Sequence, residues 1–559
     1  MENSKVFMWA FIATVCSSAS LAASDAVIRG TVTDNTGKPI RGAIVKVQTG
    51  YKLVTRYSQK DGRYEIAVPA GTYVVTAEAL GYSSKREDRD TAQAGEINFK
   101  LPPRAIDVTR LTGAEIVSLL PNDAETRLIQ ASCYNCHSMQ HMMLKRGSTA
   151  EQWRDFLPTM TRGRVPVAAD PKQNPRTTQA SFVALTNALG KYFGPDAPFF
   201  GPDSDPPTLN QIQRAELSDV ALNATIREYE IPTTMPMAHS MSVDTDRGIA
   251  WWGEESHLAN KVGRFNMDTE TFVEYPVATP NATVHTGIVG KDGRYWVTLP
   301  SGGDSKIVSV EPETGKVTEY KWPEKKGNPH TLALDRAGNL VMSGGASGEV
   351  WTFDTETYKF GFHAFPVPPS FPEDSVTYWE KIPGEKLPAV SATTYDIKIN
   401  SKGKYFFTIY SMGTLMSLDP ATGESKTYHP EGTPSMRGLD IDAQDNVWFS
   451  NYNGHKLGKL DGKTGMIKEY QPPTLNATPY GVKVDKAGNV WFSDLVGNNL
   501  TKFDPKTEQF VEYPLPTRDA GPKFMDMDAK GRIWFTEVMG AKIGMVETGD
   551  AGEQMASTK

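Results

Sequence analysis

Cys133 and Cys136 stand three positions apart, with His137 directly after, in the run Ser132-Cys133-Tyr134-Asn135-Cys136-His137-Ser138. The chain of 559 residues has three cysteines, and the third is Cys16. Two thiols at this spacing can add to the two vinyl groups on one porphyrin edge, and a histidine in the next position can bind the iron. The pattern predicts one covalent haem c held by Cys133, Cys136 and His137. Two other chemistries use such residues. A redox pair opens a helix of a thioredoxin-like α/β unit, and the flanking sequence does not read as one. A zinc site of Cys133, Cys136, His137 and His141 would require adjacent Cys136 and His137 to share one tetrahedral ion, whereas structural sites space their ligand pairs differently.

The elements that must position this motif are helical. "LTGAEIVSLL" and "ETRLIQASCYNCHSMQHMML" carry apolar residues three and four apart, "TAEQWRDFLPTM" opens on a capping box from Thr149 to Gln152, and "SFVALTNALGKYFG" is a further amphipathic helix. Residues 106–194 thus resemble a small cytochrome c domain. Met139, His141, Met142 and Met143 follow His137 on its own helix and cannot easily reach the opposite haem face. Met160 lies between the haem helix and the final helix, where that family usually carries its distal methionine, so it is the expected sixth ligand. The alternative is that Met160 packs in the core and leaves the iron open. A methionine ligand would raise the potential and suit electron transfer.

The N-terminus supports the same chemistry. Lys5, an apolar run from Val6 to Val15 and small residues through Ala23 read as a secretory signal over residues 1–23. The expected location is periplasmic or secreted, the expected partner a periplasmic redox protein or a small-molecule substrate. No later segment reads as a membrane span. The formal charge is −7 and both signs are interspersed, so no nucleic-acid or anionic-membrane partner is expected.

On either side of the helical segment the pattern is β. Residues 25–103 alternate apolar and polar positions, as in Val27 to Val32 and Ala43 to Val47, between turns at Asn35 to Pro39, Asp61-Gly62 and Pro69 to Gly71. About seven short strands at this spacing make a β-sandwich. The phrases "GTVTDNTGKPIRGAIVKV", "DGRYEI" and "AGTYVV" resemble the transthyretin-like regulatory domain of carboxypeptidases, which implies a non-catalytic docking module or spacer. Residues 195–224 read as a linker and 549–559 as a tail.

From 225 to 548 one phrase recurs with its aromatic at Tyr229, Tyr275, Tyr320, Phe365, Tyr428, Tyr470 and Tyr513, spaced by 46, 45, 45, 63, 42 and 43 residues. The long step holds an insertion around "PEDSVTYWEKIPGEKLP". A period in the forties with several strands per copy means a propeller, here of seven blades. The last copy lacks a fourth strand and the first supplies a spare one, so residues 226–231 are expected to close the ring. The whole chain then reads as multidomain and mainly β: a sandwich, an α-helical cytochrome c domain and a seven-bladed propeller.

Aligned on the Asp-x-x-Gly-x turn, the seven copies place His239, His285, His330, Tyr395, Arg437, Tyr480 and Lys523 at the start of the innermost strands, where they should crowd one mouth of the channel. A second set is expected to return to that mouth: Glu254, Leu299, Gly344, Ile409, Asn451, Asp494 and Glu537. Convergent titratable groups in a concavity predict a ligand site. The phrases "TPYGVKVDKAGNVWFSDLVGNN" and "RIWFTEVMGAKIG" resemble the virginiamycin B lyase family, a propeller that opens a cyclic depsipeptide by β-elimination with a magnesium ion. The resemblance implies that His330, in its Pro329-His330 step, and His285 one blade away are catalytic. It also implies two glutamate ligands for Mg2+, where this chain has Asn328 and Gly344-Gly345, so the magnesium site is incomplete. The expected function is an exported haem protein that couples electron transfer to a propeller-bound substrate or partner. A lyase or hydrolase using the mouth histidines, and a non-catalytic binding protein, are the alternatives.

Overall fold

The computed structural model describes residues 25–549 apart from 94, 135–136, 160–178, 257, 301–303, 324–327, 345–347, 368–392 and 431–434. The signal segment, the core of the insertion after Phe365, Cys136 and Met160 lie outside the described residues.

The N-terminal unit is a sandwich. Asp25–Asp34 pairs antiparallel with Arg63–Pro69 and parallel with Phe99–Leu101 in one sheet. The facing sheet runs in the order Lys52–Tyr57, Ile44–Thr49, Thr72–Glu78, Lys85–Asp90. Alternate residues such as Val32, Val45, Val47, Ile66 and Val75 fill the space between them, as period-two patterning requires.

Seven antiparallel blades of four strands form the C-terminal ring, six as separate sheets and the last within a larger one. Their innermost strands are Ser242–Asp244, Gly287–Val289, Leu332–Leu334, Thr394–Ile399, Met436–Ile441, Pro479–Val484 and Pro522–Met527. The recurring turn explains the repeat. In Asp485 to Asn489, Gly488 has φ of +87°, a conformation glycine adopts without cost. The Asp485 carboxylate accepts the backbone N–H of Ala487 and Asn489 and, at 3.1 Å, the indole N–H of Trp491. Asp442 with Trp448 and Asp528 with Trp534 repeat this arrangement, each at 3.0 Å. One carboxylate thus fixes a turn and anchors the large apolar side chain of the next strand.

The ring closes with the strand Thr225–Glu230, which pairs with Lys542–Glu547 in the register Ile226↔Val546 and Glu228↔Gly544. Its other edge pairs with Lys52–Tyr57 of the sandwich, Val54 opposite Arg227. Last blade and sandwich therefore share one sheet of eight strands. No unpaired edge is left at the closure, which removes a site for edge-to-edge association.

Among the described residues, four helices pack together between the two β units, α1 (Gly113–Ser118), α2 (Ala124–Cys133), α3 (Ala150–Phe156) and α4 (Gln179–Phe193), and a short fifth, α5 (Asp219–Leu222), precedes the closing strand. Thr112 and Thr149 cap α1 and α3 with reciprocal boxes to Glu115 and Gln152, and the Asp123 side chain caps α2. Leu128, Ile129, Trp153, Leu185 and Leu189 make their common core. That core extends onto the propeller through Tyr395, Tyr452, Tyr480, Leu495 and Val496. Among the described residues no helix is long and apolar enough to cross a membrane.

Candidate functional site

Five of the seven residues at the starts of the innermost strands are held by a repeated device. The hydroxyl on the second strand of one blade donates to the carbonyl of the next blade's residue: Thr298 to His330, Ser343 to Tyr395, Thr408 to Arg437, Ser493 to Lys523 and Thr536 to His239. The threonine or serine in "VTL", "FTI" and "FTE" thereby sets where the neighbouring side chain enters the channel. These hydroxyls are buried.

Three imidazoles from consecutive blades stand in a row, each ring tilted against the next by 35° and 50°. Ring centroids are 4.0 Å apart for His239 and His285 and 4.2 Å for His285 and His330. His330 Nδ1–H donates to the Tyr395 carbonyl at 2.9 Å, and His285 Nδ1 lies 3.3 Å from the His330 carbonyl and 2.7 Å from the Thr286 hydroxyl. Donation from Nδ1 leaves Nε2 as the bare nitrogen. Burial holds all three imidazoles below the ordinary histidine range, His330 at about 4, with Lys523 and the other imidazoles adding to the effect on His239 and His285. At neutral pH they are uncharged.

The other half of the ring is aromatic and cationic. Tyr395 and Tyr480 share a hydroxyl–hydroxyl hydrogen bond, and burial pushes both phenols up. The Arg437 guanidinium lies 4.1 Å from the Tyr410 ring centroid, 4.8 Å from that of Tyr395 and 4.9 Å from that of Tyr452, a cation enclosed by π faces. Lys523 Nζ is 3.2 Å from Glu255 Oε2, and His239 Nε2 is 3.7 Å from the same oxygen. Burial pushes the Glu255 carboxyl up, but Lys523, His285 and His330 together outweigh it and hold the group below its usual range.

The second expected set is one residue out of place. Glu254, Asp494 and Glu537 do not line the channel; they are fully buried inside their own blades. Glu254 accepts from Met237 N–H and Trp252 Nε1–H, and burial pushes it up to about 7. Asp494 accepts from Thr478 N–H and Gly497 N–H, each at 2.8 to 2.9 Å. Successive strand residues face opposite sides, so it is the next residue that reaches the mouth: Glu255, Tyr410, Tyr452 and Leu495. Sequence reasoning missed these four because the alignment stopped at the strand end. Leu299, Ile409 and Asn451 are likewise buried at strand ends.

The helical unit covers this mouth. Tyr452 Oη donates to the carbonyl of Tyr134, directly after Cys133, and Ala114 N–H donates to the Val496 carbonyl at 3.1 Å. His141 Nδ1 is 2.7 Å from Asp519 Oδ2, and Ser138 Oγ donates to Asp519 Oδ1. Cys133 closes α2 and is buried. The His137 ring is buried, stacks on His141 at 4.8 Å, and has its Nδ1 2.9 Å from the Ser138 carbonyl. This again leaves Nε2 bare, as an axial imidazole needs. Cys133 and His137 are the described members of the motif expected to hold a haem.

Residues 381–556 match the model of the virginiamycin B lyase family. Residues 27–102 match the carboxypeptidase regulatory-like domain. The latter segment is similar to carboxypeptidase Z of Gallus gallus, 38% identical over 81 residues, which is 14% of this chain and 12% of that protein. A streptogramin B lyase structure superposes with a TM-score of 0.51 at 22% identity, over 59% of this chain and 100% of the other. The virginiamycin B lyase of Staphylococcus aureus gives 0.49 at 21% identity, over 58% and 99%. The lyase likeness at this identity is one of fold, and the lyase-like propeller here carries a helical cover between the sandwich and the ring. The two positions at which that family's resemblance calls for glutamates hold Asn328 and Gly344-Gly345, both in the third blade, whereas Glu255 follows the second strand of the first.

Proposed function

We propose that the chain is an exported c-type haem protein whose helical unit closes the mouth of a lyase-like propeller, coupling electron transfer to a substrate or partner bound there. The observation that carries this reading is the join between Tyr134, inside the cysteine motif, and Tyr452 at the propeller mouth. Cys133, Cys136 and His137 would hold the haem, with Met160 as the sixth ligand. When bound, the haem supplies one-electron redox chemistry. The Ser138 carbonyl fixes the His137 tautomer, and Asp519 ties the segment after His137 to the ring. From Tyr452 a run of close aromatic contacts passes through Tyr480 and Tyr395 to His330, with centroids 5.9, 6.2 and 4.3 Å apart.

Protein matured in a periplasm is expected to stain for haem on a denaturing gel, to weigh more than the bare polypeptide, and to show a redox-active spectrum. Cys136→Ala should lose stable two-point attachment. Colourless wild-type protein with the mass of the bare chain overturns the reading.

The neutral, oriented pair of His285 and His330 favours a second reading, a lyase or hydrolase in which they act as base and acid. It predicts turnover that survives loss of haem and falls by about 100- to 10,000-fold in His330→Ala. Loss of turnover on removing the haem, in protein that stays folded, would decide against it.

A further inference from the structure

We infer that His239, Glu255 and His285 form a binding site for one divalent transition-metal ion, with His330 adjacent as a fourth donor. One ligand atom from each of the three residues lies within 4.8 Å of the others. Movements of about an ångström bring such atoms to the ligand distances of roughly 2.0–2.2 Å that nitrogen and carboxylate donors make with zinc-like ions.

The donors are prepared for a cation. Imidazole binds a metal only through an unprotonated nitrogen, and the other nitrogen is normally a donor to a carbonyl. His285 and His330 have that arrangement, through the carbonyls of His330 and Tyr395. His239 has the His285 backbone beside its ring and turns its Nε2 toward Glu255, 3.7 Å away. The cation beside Glu255 is a lysine ammonium at 3.2 Å, on a stem long enough to swing aside.

The ligand set also says which ions fit. Two or three imidazoles and one carboxylate suit Zn2+, Cu2+ or Fe2+, whereas Mg2+ and Ca2+ take oxygen donors almost alone. The site is therefore distinct in position and in chemistry from the magnesium site that the lyase resemblance implies, which would need carboxylates at residues 328 and 344 or 345. Three protein ligands leave a coordination position open for water or for an oxygen of a ligand. Beside the ligands lie Lys523, 3.2 Å from Glu255, and Tyr480, whose ring is 6.5 Å from that of His239 and whose hydroxyl bonds that of Tyr395. They suit an anionic oxygen, a carboxylate or an oxyanion.

Zn2+ alone is the probe. The full chain from a periplasmic preparation, stripped with chelator and titrated calorimetrically, is expected to take up one ion in the propeller. His285→Ala and Glu255→Gln should each weaken that uptake by about 10- to 100-fold or more. Lys523→Met removes the competing ammonium and should tighten it by about tenfold, a gain that misfolding cannot produce. His363→Ala, on an outer strand, should change nothing. Absence of stoichiometric uptake overturns the proposal. So does zinc binding that is unaltered in His285→Ala and Glu255→Gln, which is what the cysteine pair would give if it carried no haem, and so does failure of Lys523→Met to tighten it.

Discussion

Replacing Glu78 with alanine is expected to destabilise the folded chain by about 3–5 kcal/mol, the typical cost of removing one partner from a buried ion pair. The Glu78 side chain is 10% exposed and faces three cations from three different units. They are Lys46 of the sandwich, Arg110 from the segment leading into α1, and Arg518 of the propeller. Lys46 Nζ also donates to the Pro516 carbonyl at 2.8 Å. Without the carboxylate these cations are left close together at the junction of all three units, so the loss exceeds that of an exposed pair. Burial pushes the Glu78 carboxyl up, but Lys46, Arg110 and Arg518 together outweigh it and hold the group below its ordinary 4.5. A depressed native value means stability that is present above the unfolded value and lost as pH falls through the native one. Urea or thermal unfolding from pH 7 down to pH 3 checks both parts. Wild type should lose this increment below about pH 4.5, and Glu78→Ala should start without it and show a flatter acid limb. Glu78→Gln, which keeps shape without charge, separates electrostatics from packing.

The ring was legible in the sequence because its determinants are local. An Asp-x-x-Gly turn that binds its own tryptophan repeats wherever the blade repeats, and the spare strand at 226–231 matches the gap in the last copy. The sandwich was legible for the same reason. The sheet shared by the sandwich and the last blade was not, because pairing Val54 with Arg227 leaves no mark on the alternation of either strand. The identity of the seven mouth residues followed from the repeat, but the neighbouring carboxylate did not. Glu254 and Glu255 are adjacent, and only the pleat at the strand end decides that the first turns into the blade and the second toward Lys523. The helical cover is a tertiary fact of the same kind. Amphipathic periodicity shows that α1, α2 and α4 bury one face, yet nothing in that period says the face continues onto Tyr395, Tyr452 and Tyr480.

Glu537→Gln is expected to stabilise the protein at neutral and higher pH. Glu537 is fully buried at the end of its strand beside the Glu228 carboxyl, and the two can form a hydrogen bond only when one of them holds a proton. The two acids meet where the closing strand Thr225–Glu230 joins the last blade. Burial, with the Glu228 carboxylate beside it, holds the Glu537 carboxyl well above its ordinary 4.5, and Lys542 and Lys46 offset this only in part. Between the unfolded and the native values the folded chain binds a proton that the unfolded chain has released. Linkage then requires stability to fall as pH rises through that window and to level off above it. Glutamine is neutral in both states, and its amide N–H can donate to Glu228. The gain is on the order of 1–3 kcal/mol, about 1.4 kcal/mol for each pH unit over which the native carboxyl keeps a proton that the unfolded chain has released. Glu254 and Glu512, each raised by burial to about 7, contribute a similar slope in both proteins, so the quantity to read is the difference between the variant and wild-type unfolding free energies. That difference should be small at pH 4, grow with pH and then plateau; a difference independent of pH would mean that the carboxyl pair at the ring closure is not the group that titrates.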